Sequence, residues 1–252
     1  MAVRFSLTLA AVLLSLGVSR GEWTVRSSET DRSTVPAVEY RRVVLNDKTS
    51  SEEATLDLAL FSMKSATLRV IDNPGGSDDL ANVARRLRAV AGVNGGYFDP
   101  QNAPVGLLIG DGKSIAPLRK ARLLSGVLVV TKARVEILRS AEYNSRKNAI
   151  AALQCGPFLV DGGKVVAGLN DTKSARRTFV LTAGSERTAV GFCSPVTLAQ
   201  LGEILATVEL KTQRALNLDG GSSSAFWFNG ERGVFSIPEQ KTVRDFVVIT
   251  PK

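Results

Sequence analysis

The 252-residue sequence contains no histidine. Without an imidazole, a Ser-His-Asp triad, a Cys-His pair and a histidine-ligated zinc site are all excluded, so acid–base work has to come from Asp, Glu, Lys or Tyr. Cysteine is scarce as well, with only Cys155 and Cys193. In an exported chain an even count permits a disulfide, and two small buried thiols fit it equally well. Beyond Gly21 no long uncharged run exists to span a membrane. Internal repeats and a Pro/Ser-rich linker are also missing, which argues for one domain. The basic residues form only short pairs, Arg41-Arg42, Arg85-Arg86 and Arg176-Arg177, and no basic run interleaves with aromatics, so nucleic acid is not the expected partner.

What is present begins with an export pattern over residues 1–21. Arg4 supplies a positive n-region, Leu7 to Val18 an apolar h-region, and Ser15-Leu16-Gly17 or Gly17-Val18-Ser19 a small-residue cleavage site. The run is short for a span, and an uncleaved amino-terminal anchor is the alternative. The expected location is periplasmic or secreted, without stable membrane insertion after cleavage. Removal of this segment takes Arg4 and Arg20 and no acid, leaving 30 basic and 24 acidic side chains, a net charge of +6. Such a balance favours anionic partners. Residues 22–37, polar and running into Pro36, are expected to be a flexible leader to a single domain over 38–252.

Alternating patterns predict strands from Val38 to about Asn46, Leu56 to Ser62 and Leu68 to Asp72. A helix follows, with Leu80, Val83, Ala84, Leu87 and Val90 at helical spacing; a second, begun by Pro195 and Thr197, buries Leu198, Leu201, Ile204, Leu205 and Val208. Phe179 to Thr182 and Arg187 to Phe192 read as a hairpin around Gly184. The expected class is α+β: a single domain with a mixed, strand-rich sheet flanked by a few helices and its site at strand-end loops.

Four polar tips interrupt the apolar segments. In RALNLDGGSSS, residues 214–224, an alternating strand ends and delivers Asp219 to a turn of Gly220, Gly221 and serines. The same residues also suit a plain turn capped by Asp219. In AGVNGGYFDP, residues 91–100, a short buried strand emerges at Asn94, Gly95 and Gly96, a pattern shared with ordinary hairpins, and a loop through Asp99 follows. Gln154 stands before a Gly156-Pro157 turn, where its amide can satisfy main-chain groups. Arg177 opens a strand, where a guanidinium can fork onto a phosphate or protect a sheet edge.

NGGYFD at 94–99, QCGPFLVDG at 154–162, RRTFV at 176–180, and VTLAQLGEIL with ALNLDGGSSS within 196–224 resemble, in this order, the phosphodiester glycosidase domain. The likeness spans roughly Val90 to Ile249. The chain departs by reading Gly-Gly-Ser where Gly-Gly-Gly is frequent, and Phe179 where the family commonly has Ala. The resemblance implies hydrolysis of a glycosyl phosphodiester at the anomeric carbon, with a phosphorylated glycan or sugar phosphodiester as substrate. It assigns Asp219, Arg177, Asn94 and Gln154 to catalysis: Asp219 as the carboxylate facing the anomeric carbon and Arg177 holding phosphate. Gly95, Gly96, Asp99, Thr178, Asn217, Gly220, Gly221, Ser222 and Ser223 are assigned to substrate binding, with Asp99 as the second carboxylate if one is used. A phosphate leaving group reduces the need for a strong general acid, which suits a chain without imidazole. No cofactor is implied and no metal is predicted, since no loop has calcium-ligand spacing. An envelope-glycan binding module and an exported phosphodiesterase cutting the P–O bond remain the alternatives.

Overall fold

The computed structural model describes residues 22–145, 148–184 and 186–252. The export pattern of residues 1–21 lies outside them. In chain order the strands are β1 (Trp23–Arg32), β2 (Val38–Asp47), β3 (Glu53–Ser62), β4 (Ala66–Asp72), β5 (Ala91–Asn94), β6 (Leu108–Gly110), β7 (Lys113–Ala116), β8 (Gly126–Val130) and β9 (Val135–Arg139). They continue with β10 (Ala151–Cys155), β11 (Phe158–Asp161), β12 (Lys164–Val165), β13 (Ala175–Ala183), β14 (Arg187–Val196), β15 (Thr212–Asn217), β16 (Phe226–Gly230), β17 (Gly233–Ile237) and β18 (Asp245–Pro251). The helices are α1 (Leu80–Leu87) and α2 (Leu198–Thr207).

These strands build three sheets where one mixed sheet was expected. An eight-stranded sheet runs β1-β2-β3-β14-β13-β15-β11-β12; two five-stranded sheets run β7-β6-β10-β8-β9 and β17-β16-β5-β18-β4. Every ladder among the described residues is antiparallel. The reason lies in the helices. α2 joins β14 to β15 and α1 joins β4 to β5, but in each case another strand, β13 or β18, lies between the two joined strands, so neither helix completes a parallel pair.

Sequence periodicity decides which face each strand presents. Along β3, Leu56, Leu58 and Leu60 join Phe179, Leu181 and the Leu201, Ile204 and Leu205 stripe of α2. The alternate residues Ala59 and Phe61 enter the central core, where the eight-stranded sheet packs on both five-stranded sheets through Tyr40, Phe158, Leu216, Phe226 and Val247. α1 covers the outer face of the β5-containing sheet with Leu80, Val83 and Ala84 against Trp227 and Phe246. Both helices are capped as their sequences prescribe: Asp79 accepts from the Asn82 amide, and Thr197 and Gln200 form a capping box.

The stretch 22–37 does not hang free as a leader. Residues 23–32 form β1, which pairs along β2, and Trp23 is buried among Val43, Leu45 and Leu56. One anchoring aromatic and a ladder of main-chain hydrogen bonds outweigh the polar composition that argued for disorder. The two cysteines are free thiols in different cores, Cys155 centrally and Cys193 beneath α2, and burial pushes Cys193 up to about 12.

Asp57 occupies the central face of β3 and is almost fully buried. Its Oδ1 accepts from Tyr40 Oη at 2.6 Å and from Arg42 Nε at 3.0 Å. Removing the carboxylate strands a buried phenol and a half-covered cation. Asp57→Ala is expected to destabilise the fold by about 2–3 kcal/mol, seen as a lower urea midpoint at unchanged slope.

Candidate active site

Three strand ends converge around Asp219. β13 and β15 are antiparallel with Phe179 opposite Asn217, so the start of β13, carrying Arg176, Arg177 and Thr178, lies beside the end of β15, carrying Asn217, Leu218 and Asp219. β5 belongs to another sheet and is stitched to both by Asn94. This fully buried side chain donates from Nδ2 to the Asp219 carbonyl at 2.8 Å and accepts through Oδ1 from Thr178 Oγ1 at 2.7 Å and the Ala225 amide at 3.0 Å. The Asp219 amide in turn donates to the Gly95 carbonyl at 2.9 Å.

The glycines of this turn serve close approach more than ligand binding. The Gly95 amide donates to the Asp245 carbonyl and the Gly96 amide to Asp245 Oδ1, both at 2.9 Å, and a Cβ on Gly95 would collide with that carboxylate. The Gly220 amide donates to Asp219 Oδ1 at 3.0 Å. The amides of Gly95, Gly96 and Gly220, expected to face a ligand, are therefore engaged within the protein. Gly221 takes a left-handed φ of 66°, which turns the chain so that Ser222 is exposed and Ser223 buried.

Asp219 itself is half-buried. Burial raises its pKa above the ordinary carboxylate value, while Ser223, the charge of Lys241 and the Gly220 amide partly offset the rise. The fully buried Ser223 hydroxyl lies near enough to favour the charged form, although no well-aligned hydrogen bond joins the two. Arg177 stands on the other side of the Gly220 turn. It is 7% exposed, donates through Nε to the Val196 carbonyl at 2.9 Å and through Nη2 to the Lys173 carbonyl at 2.5 Å, and has no carboxylate partner among the described residues. Its Nη1 lies 3.9 Å from where a Cβ on Gly220 would stand. Burial lowers its pKa, so the cation is held where a nearby anion would relieve its desolvation.

Two residues assigned to the site hydrogen-bond to main-chain groups of the protein itself. Gln154 is buried with its amide consumed: Oε1 accepts from the amides of Leu107 and Arg119, and Nε2 donates to the carbonyls of Arg119 at 2.8 Å and Leu124 at 3.2 Å. It braces the loop ahead of β8. Asp99 accepts through Oδ1 from the amides of Gln101 and Ala103, which closes its own turn. The Gln154 amide is not free to meet Asp219.

Other residues at the site went unnoticed in the sequence. Tyr97 donates to the Gly156 carbonyl at 2.5 Å and accepts from Asn217 Nδ2 at 3.1 Å. Its pKa is raised chiefly by burial, with further contributions from Cys155 and Asp219. A hydroxyl-bearing aromatic directly after Asn-Gly-Gly was the available signal. Arg176 donates to the carbonyls of Ser224 and Pro238, and Lys241 stands 4.9 Å over the Phe98 ring. Lys241 has no signal in its own loop. Buried atoms without partners collect here: Asn217 Oδ1, Ser223 Oγ, Ser224 Oγ and Asp245 Oδ2. Such atoms are costly unless a ligand or water satisfies them. Among the described residues no group of three His, Cys, Asp or Glu side chains could hold a metal ion.

Asp245 is fully buried, and desolvation pushes its pKa up to about 7, aided by Asp72 and Asp219 and opposed by the Gly96 amide and Arg244. Its folded pKa exceeds the unfolded value of about 3.9, so the native state binds the extra proton between the two. The stability contribution is therefore present at low pH, lost as pH rises to about 7, and flat above. Asp245→Asn keeps an acceptor for the Gly96 amide and is expected to raise Tm at pH 8 by at least about 3 °C. Thermal scans at pH 5 and pH 8 check this: the gain is expected to shrink at the lower pH.

A family model for phosphodiester glycosidases matches residues 87–250. The catalytic domain of zebrafish N-acetylglucosamine-1-phosphodiester alpha-N-acetylglucosaminidase, in a form auto-inhibited by its pro-peptide, superposes with a TM-score of 0.68 at 17% identity, covering 90% of this chain and 89% of that one. A hypothetical protein from Synechocystis superposes at 0.61 with 15% identity, over 86% of this chain and 62% of its own. A protein from Burkholderia pseudomallei K96243 described as exported gives 0.56 and 12%, over 80% and 75%. At these identities the superpositions establish a shared fold. No curated protein matches by sequence.

Proposed function

Because this chain belongs to the phosphodiester glycosidase family and is thus a hydrolase, we propose that it breaks the bond between an anomeric carbon and a phosphodiester oxygen. Water supplies the new sugar hydroxyl, and the C–O bonding pair leaves with the phosphate, which departs as a monoester. The observation that carries this reading is that the Gly220 turn has beside it both a buried guanidinium without an acidic partner among the described residues and a partly desolvated carboxylate. Arg177 Nη1 takes the phosphate and Asp219 faces the anomeric carbon, as nucleophile or as base for water.

Asn94 and Thr178 are positioning residues in this scheme. By tying the Asp219 carbonyl to β5 and β13, they fix where the carboxylate points. Asn217 Oδ1, Ser223 Oγ and exposed Ser222 offer acceptors and donors for sugar hydroxyls, and Tyr97 closes the wall behind Asn217. The amino-terminal pattern supports export to the periplasm or beyond. Among the described residues no helix is long and apolar enough to cross a membrane.

Hydrolysis of a sugar-1-phosphodiester in ¹⁸O water tests the reading. Label recovered in the sugar supports cleavage at the anomeric carbon. Label in the phosphate assigns a phosphodiesterase, and binding without turnover assigns a glycan-binding role.

A further inference from the structure

Gln154 places a peculiar loop beside the site. Residues 117–123, Pro-Leu-Arg-Lys-Ala-Arg-Leu, are all exposed, with Leu118 at 39% and Leu123 at 53%. Exposed large hydrophobic side chains are few among the described residues: Val25, Val105, Leu118, Leu123 and Val234. Val105, Leu118 and Leu123 lie on segments tied to the neighbouring Tyr97, Gly156 and Gln154. The Val105 amide donates to the Tyr97 carbonyl at 2.9 Å, and the Leu123 carbonyl packs on Gly156, whose own carbonyl accepts from Tyr97 and Asn217. The loop is built to project. Gln154 holds both main-chain groups of Arg119, and the Leu124 carbonyl accepts from Ser140 Oγ at 2.5 Å.

Its charge is one-sided. Arg119, Lys120 and Arg122 form no ion pair among the described residues, and no Asp or Glu occurs between Asp111 and Glu136. Cations alone would suit any polyanion. Two solvated leucines interleaved with them match a partner that offers anionic headgroups and an apolar layer beneath.

We infer that residues 117–123, with Val105, dock the protein on an anionic lipid surface and so bring the Asp219 site against sugar phosphodiesters presented there. The contact is peripheral: a seven-residue loop places two leucines in the headgroup region and spans nothing. Docking is independent of the proposed reaction, because vesicle binding is measured without turnover.

Sedimentation with vesicles of phosphatidylglycerol in phosphatidylcholine, against phosphatidylcholine alone, tests it. The protein is expected to bind the anionic vesicles and to release in roughly 0.5 M salt. Each basic side chain near the surface contributes about a factor of five. Changing Arg119, Lys120 and Arg122 together to Gln is therefore expected to weaken partitioning about a hundredfold. Leu118→Ser with Leu123→Ser is expected to weaken it at least about tenfold. Both variants are expected to turn over a soluble sugar-1-phosphodiester as the parent does, whatever that rate is. Changing Arg85 and Arg86 on α1 and Arg88 just after it to Gln controls for net charge and is expected to leave binding intact. Equal binding by parent and loop variants, equal binding to neutral vesicles, or loss in the α1 control as large as in the loop would overturn the inference. So would full binding by the leucine variant combined with displacement by dextran sulfate, which would identify a soluble polyanion as the partner.

Discussion

Asp219→Asn is expected to lower kcat for a sugar phosphodiester by at least about two orders of magnitude while leaving the fold as stable as before, or more so. The amide oxygen of Asn can still accept from the Gly220 amide, and the neighbouring Asn94 contact is to the main chain, so the architecture keeps its bonds. What disappears is charge. Burial raises the Asp219 pKa above its unfolded value, so the native state disfavours the ionised form, and stability is lost as pH rises through the raised pKa. A neutral side chain removes this penalty. Catalysis responds in the opposite sense: a nucleophile or base must be ionised, so kcat/KM is expected to climb with pH through the raised Asp219 pKa, and this acid limb should vanish in whatever activity Asp219→Asn retains. A pH–rate profile beside a thermal scan checks both. Unchanged turnover would remove Asp219 from the mechanism.

Arg177→Met is expected to produce the second large effect, a fall in kcat/KM of about a hundredfold or more with loss of competitive inhibition by inorganic phosphate. The argument again separates function from folding. A buried guanidinium that among the described residues bonds only the Val196 and Lys173 carbonyls carries an uncompensated charge, and such a charge costs stability. Met fills the aliphatic path and relieves desolvation at the expense of two hydrogen bonds, so Tm is expected to change by no more than about 4 °C. Arg177→Lys keeps the charge but loses the fork and is expected to recover part of the phosphate inhibition. If Arg177→Met unfolds the protein while Arg177→Lys binds phosphate like the parent, the guanidinium is a structural tie between β13 and the end of β14.

Both residues stood out before any fold was known, and for the same reason. A charged side chain at the end of an apolar, alternating segment is expensive to place there unless something uses it. Asp245 obeys the same rule at the start of the apolar β18, yet drew no notice because no glycine-rich turn follows it. Gln154 and Asp99 also stood out at element ends, and both bond main-chain groups. A side-chain amide or carboxylate at an element end serves main-chain groups as readily as a ligand, and which it serves depends on loops far along the chain, here Arg119 and Leu124 for Gln154. The helix start at Thr197 and the hairpin with Phe179 opposite Gly191 were readable because their partners are neighbours in sequence.

By itself, then, the amino-acid order determined the absence of imidazole chemistry, the two helices, the strand periods and the polar tips at residues 94–96, 176–178 and 217–223. Those follow from local forces: backbone preferences, capping, and side chains that alternate every second residue. Only tertiary structure decided that these tips meet, that three antiparallel sheets replace one mixed sheet, that residues 23–32 pair as an edge strand, and that among the described residues Arg177 stays without an acid and Asp245 Oδ2 without a donor. Each of these depends on which distant surface covers a group and strips its water, and desolvation is a property of the packed whole that no local segment encodes.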